Sequence, residues 1–177
     1  IEYLESVYPS AGSAGTLAAC LASRCSALYE GRPGDDATVF VIKIRRRRQV
    51  NLLIGPPRNP EDVGAMMSLF FSKCGRHIVC GGTTSSLAAD YLGEPLEVGI
   101  PQYEDTEIPP TAEIRGVDLV TEGVITVSRV LEYAEDRLSA NARYVEWSRK
   151  SDGASKIART LFEEATDINF FVGRAMN

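Results

Sequence analysis

The pattern that most constrains this chain is an apolar run, a glycine turn and a helical run, met twice in succession. Val50-Asn51-Leu52-Leu53-Ile54 reads as a buried strand closed by Gly55-Pro56-Pro57, and Arg58-Asn59-Pro60 opens a helix with Met66, Leu69, Phe70 and Phe71 on its apolar side. Asn59 suits the cap, Pro60 suits the first position because its missing N–H costs nothing there, and Glu61 and Asp62 complement the positive helix end. The second unit has His77-Ile78-Val79-Cys80 as strand, Gly81-Gly82 as turn, and a helix over 83–92 containing Leu87, Ala88 and Tyr91. Parallel neighbours need a crossover, and a helix is the usual one, so two such units predict an α/β domain. Its form is a mostly parallel sheet flanked by helices in three Rossmann-like layers.

The rest of the chain fits around these units. Residues 95–99 suggest a short strand, 101–110 an acidic, proline-containing loop, and 114–120 an imperfect strand bent at Gly116. A long helix is expected from about Ile125, carrying Val127, Val130, Leu131, Ala134 and Leu138. Residues 143–147 either continue that helix or form an exposed excursion; Asp152-Gly153 breaks it before a helix over 154–165, and a strand and turn occupy 167–173. On the amino-terminal side, 14–29 is rich in alanine and leucine and reads as a helix. It leads through Gly31-Arg32-Pro33-Gly34-Asp35-Asp36 into a branched run, 37–44, expected as a strand. The division expected is therefore a small block over 1–45 and an α/β domain over 49–177, separated by Arg45-Arg46-Arg47-Arg48.

Composition excludes several classes. A chain of 177 residues holds one good-sized core with a small appendage. Its 24 acidic against 19 basic side chains, a formal charge of -5, argue against a general nucleic-acid binder, so the arginine run reads as a solvated charged segment. The four cysteines, Cys20, Cys25, Cys74 and Cys80, lack zinc spacing and are expected as free thiols, and a single histidine, His77, excludes a histidine-rich metal site. No apolar run is long enough to span a bilayer and the first residues lack a secretory pattern, so no membrane partner and a cytoplasmic location are expected.

Two places carry chemistry. Gly81, Gly82, Thr83, Thr84 and Ser85 stand where a strand passes into a helix, and there helix-start amides and hydroxyls can receive phosphate or another anion. The lysine of a P-loop and the full dinucleotide pattern are both missing, so a purely structural turn and cap stands beside the small-anion reading. Arg58, as an anion clamp, and Glu122, as a polar orienter, fall on turns at the same inferred sheet edge, where open α/β sheets take their ligands. The second place is Asp35-Asp36, where carboxylates beside a glycine turn suit either a turn or a hard divalent cation.

The segment Leu28-Tyr29-Glu30-Gly31-Arg32-Pro33-Gly34-Asp35-Asp36-Ala37-Thr38-Val39 resembles the terminal motif of the SpoIIE-like branch of manganese- or magnesium-dependent protein phosphatases. The resemblance implies that the first block is the terminal helix and strand of a phosphatase domain of the PPM type. It implies that Asp35 is its last metal-ligating aspartate, with Asp36 a neighbouring candidate, and that Mn2+ or Mg2+ activates water for attack on phosphoserine or phosphothreonine in a phosphoprotein substrate. The amino-terminal aspartates and internal Asp-Gly motif of that family are missing, so this chain alone is expected to be inactive. From Val50 onward the chain resembles the accessory carboxyl-terminal region of some bacterial members. The resemblance implies an accessory domain of such a parent and no particular ligand; from the residues at its inferred sheet edge it is expected to bind a small anionic ligand or a regulatory protein, with a stand-alone ligand-binding module and a structural interaction domain as the alternatives.

Overall fold

The structure, a computed structural model, describes residues 1–9, 13–32, 34–99, 108–139 and 141–175. It divides into two compact units, Ile1–Arg46 and Arg47–Asn177. Most of the expected acidic loop over 101–110, and Pro33 of the turn, lie outside the described residues.

The first unit holds helices α1 (Glu2–Val7) and α2 (Ala14–Leu28). Ser13 starts α2 by accepting the Thr16 N–H at 3.0 Å, which satisfies one of the amides a helix leaves unpaired at its start. The strand expected over 37–44 does not form; these residues take no ladder position, and Phe40, Ile42 and Ile44 are exposed. β-branched composition favours extension, but a strand persists only with a hydrogen-bonded neighbour, and the described residues supply none.

The second unit is the expected α/β sandwich. Its strands are β1 (Gln49–Ile54), β2 (Arg76–Cys80), β3 (Glu97–Val98), β4 (Ala112–Glu113), β5 (Leu119–Thr121) and β6 (Asp167–Val172), in the order β3-β4-β5-β2-β1-β6. The β5-β2-β1-β6 ladders are parallel, with Leu52 opposite both Ile78 and Phe170. β4 runs antiparallel to β5 and β3, because the bend at Gly116 (φ 93°) turns 114–120 back on itself rather than leaving it one bent strand. Pro60–Asp62 form a 3-10 turn before α3 (Val63–Phe71), and the Asn59 amide reaches the Asp62 carboxylate at 3.0 Å instead of capping the backbone.

Alternation along β1 sorts the two faces. Leu53, with Val79, Val120 and Phe171, meets α3 through Met67 and Phe70 and α4 (Gly82–Leu92) through Ala88 and Ala89. Val50 and Leu52, with Ile78 and Cys80, meet Ile157 of α7 (Gly153–Arg159), Leu161 and Ala165, joined by Val127 and Val130 of α5 (Val124–Ser139). Full burial of a residue such as Leu53 or Ile78 is worth about 1.5–3 kcal/mol. The apolar stripe of α5 runs through Val127, Val130 and buried Tyr133, while Leu131 and Leu138, expected on it, are exposed. Residues 144–149 form a separate helix, α6 (Tyr144–Arg149), and bury Trp147 against Tyr144 and Phe162, with Arg137 over its ring at 5.9 Å. The expected final helix ends at Arg159 and passes into a π-turn (Thr160–Glu164).

Candidate functional site

The helices that follow β1 and β2 cover one face of the sheet, and the helix that follows β5 covers the other. Since β2 and β5 are neighbours, their carboxyl ends part in opposite directions, and this is where an open α/β sheet forms a crevice. Gly81 leaves β2 at φ 113°, a backbone conformation that side chains resist, and donates its N–H to the Thr121 carbonyl at 2.9 Å. A Cβ on Gly123, the residue before α5, would stand 3.1 Å from the Gly81 Cα. Glycine on both turns is what lets α4 and α5 start this close together.

The expected ligand residues separate by role. Ser85 donates its N–H and its hydroxyl to the Gly81 carbonyl, both at 2.8 Å, and Thr84 is buried beside Gly81, so these three build the turn. Gly82 and Thr83 are exposed at the start of α4, where no side chain caps the helix. The Ser85 N–H closes the first turn, which leaves the amides of Gly82, Thr83 and Thr84 without intrahelical partners. Glu122 behaves differently, because its Oε2 accepts the Ile125 N–H at 3.2 Å and so caps α5. One helix start in the crevice thus carries its own carboxylate and the other carries none. Arg58 is exposed on the loop after β1, at the same carboxyl edge, and forms no ion pair among the described residues.

Burial pushes the Cys80 thiol up to about 11, against an opposing effect of the Thr121 hydroxyl that donates to its Sγ at 3.3 Å. Cys80 therefore sits under the crevice as a neutral core group, and all four cysteines are free. Sequence reasoning missed Thr126, the third residue of α5, whose buried hydroxyl has no partner among the described residues. Its only signal was a threonine on the inward stripe of an amphipathic helix.

Other features of the second unit lie away from the crevice. The last two arginines of the run meet the amino edge of the sheet: Arg47 grips Asp167 through two hydrogen bonds of 3.0 Å, and Arg48 is held through its backbone to Thr166. Beside them a cavity of about 290 Å³ is lined by Arg47, Arg48, Arg76 and Glu164, with Arg76 and Glu164 paired at 2.6 Å. A larger, open cavity of about 580 Å³ runs along β4 and the turn into β5. Glu94, Glu97, Glu113 and Asp118 line it together with Arg115 and Lys156, a mixture that selects no ligand charge. His77 stands at the start of β2 with Nε2 3.1 Å from the Phe70 carbonyl, packed edge-on to the Phe70 ring.

In the first unit Asp35 and Asp36 are exposed, and the Asp35 carboxylate accepts the Asp36 N–H at 2.8 Å, an arrangement that tightens the turn. Among the described residues no group of three or more His, Cys, Asp or Glu side chains comes together to hold a metal. Two adjacent carboxylates, one already bonded to backbone, do not make a two-metal centre, so the residues present do not by themselves fit the Mn2+ or Mg2+ pair that the resemblance implies. No described helix is long and apolar enough to cross a membrane.

Compared with protein-family models, curated proteins and solved structures, the chain matches none.

Proposed function

We propose that the second unit is a regulatory ligand-binding domain that takes a small anion, phosphate or a phosphorylated small molecule, in the crevice between the carboxyl ends of β2 and β5. The observation that carries this reading is the uncapped start of α4, with three amides that have no partner among the described residues, set beside the Gly123 backbone where a side chain would crowd the crevice. Unpaired amides and the positive helix end favour an anion, and Arg58 adds a full positive charge to the same edge. The motif resemblance supports placing this domain in a Mn2+- or Mg2+-dependent phosphoserine/phosphothreonine phosphatase, in which Asp35 would be a metal ligand.

The first test is titration of the isotopically labelled chain with inorganic phosphate, read from its amide resonances. Saturable shifts at Gly82, Thr83 and Thr84, with affinity at least about fivefold weaker in Arg58→Ala, are expected for a charge-assisted contact. Linear shifts without saturation would refute the crevice as an anion site. The phosphatase assignment is tested separately: the chain is expected not to hydrolyse phosphoserine with Mn2+, and turnover abolished by Asp35→Ala would overturn that.

A further inference from the structure

Strand β6 closes one side of the sheet, and among the described residues nothing pairs with its outer edge. Asp167 and Gly173 donate their N–H groups inward, to Arg48 and Ile54, and Ala175 donates to Pro56. A strand alternates direction at each residue, so the odd-numbered positions face β1 and the even-numbered ones, Ile168, Phe170 and Val172, turn both N–H and C=O outward. The same three residues expose their side chains, at 38%, 59% and 61%. β6 thus has an apolar face and a free hydrogen-bonding edge on the same residues. It lacks the proline, lysine or bulge by which edge strands usually block further pairing.

We propose that β6 pairs antiparallel with β6 of a second copy of this chain, about a twofold axis at Phe170, to form one continuous sheet through the dimer. The strand is self-complementary in that register. Phe170 faces Phe170 of the other copy, and Ile168 faces its Val172; each of these pairs joins residues with outward N–H and C=O, so each exchanges two hydrogen bonds. The side chains of each pair fall on the same face, apolar against apolar. Symmetry selects the direction, because in a parallel ladder an outward residue of one copy stands opposite an inward residue of the other, a register that no twofold axis allows, whereas the antiparallel register sets outward residues against outward residues in both copies. A twofold arrangement also closes after two copies and leaves no further edge of this kind to extend.

Light scattering coupled to size exclusion on the full 177-residue chain tests this directly. The expected mass is twice 19.3 kDa, falling to 19.3 kDa in Phe170→Lys with unchanged circular dichroism, while Val98→Lys, at the opposite edge of the sheet, leaves the dimer intact. Register is tested by oxidation in a background with Cys20, Cys25 and Cys74 changed to serine. Phe170→Cys is expected to cross-link two chains, because directly opposite residues lie about 5.5 Å apart at Cα. Ile168→Cys is expected not to, because its two copies stand about four residues apart along the strands. A single-copy mass for the unaltered chain, a dimer that survives Phe170→Lys, or cross-linking at 168 in preference to 170 would each overturn the proposal.

Discussion

Asn51 lies on β1 with no exposed surface, between His77 of β2 and Asn169 of β6, and its removal gives a magnitude that follows from its hydrogen bonds. Its amide Nδ2 donates to the carbonyls of Cys74 and Arg76 at 3.0 and 3.2 Å, and its Oδ1 accepts from Asn169 Nδ2 at 2.8 Å. Asn51→Ala deletes all three bonds. At about 1 kcal/mol net for each bond, the expected loss is about 3 kcal/mol, a large share of the stability of a domain this size. In urea, with a slope near 2 kcal/mol per molar, the midpoint should fall by about 1.5 M without a change in slope. Asn169→Ala removes only one of the bonds and lies half-buried on β6, so about 1 kcal/mol is expected there. The double variant should show a coupling of about 1 kcal/mol between the two positions. A loss below about 1 kcal/mol for Asn51→Ala, or one no greater than that of Asn169→Ala, would refute the argument that this network holds β1 between its two neighbours.

Three further outcomes are expected. Gly64 has open space around the position of an added Cβ and lies within α3, so Gly64→Ala should raise stability by about 0.5–1 kcal/mol. In Gly173→Ala the new methyl would run into the Gly55 and Pro56 carbonyls and should lower stability by about 1–3 kcal/mol; thermal unfolding followed by circular dichroism reads both. Glu146 is held down to about 2, first by its hydrogen bonds with Arg143, next against an opposing effect of burial, and then by Lys150. A carboxyl lowered on folding contributes fully above its unfolded value near 4.3 and loses that contribution as pH falls towards 2. Solvent screening limits it to about 1 kcal/mol, and Glu146→Gln should flatten the melting temperature across that window.

The central strands and their helices were legible because their signals are local. Val50 to Ile54 and His77 to Cys80 are short apolar runs ended by glycine, and the turn at Gly81 needs a residue tolerant of φ 113°. The mostly parallel α/β layering follows from that repetition. Residues 37–44 failed the same reading because strand formation depends on a neighbour that composition does not reveal. α6 was ambiguous because its apolar anchor, Trp147, is a single residue whose burial depends on Tyr144, Phe162 and Arg137 from three separate segments. At the crevice the glycines and the helix start were readable, whereas the different duties of Glu122 and Ser85 were not. Both bond to backbone, and which backbone group is in reach is decided by how the chain turns.

The place of β6 beside β1 has a consequence for how the chain comes into being. β1 is the first strand of its unit to leave the ribosome, and it can take up β2 soon afterwards, since Val50 pairs with Arg76. Its other flank pairs with β6, where the partner of Val50 is Ile168, so that flank stays bare until nearly all of the unit has been synthesised. Over that interval the nascent chain carries an apolar strand with one open side, the exposure that makes long-range pairings slow and vulnerable to chance encounters between chains. The arrival of the last strand is therefore the event that shields the first.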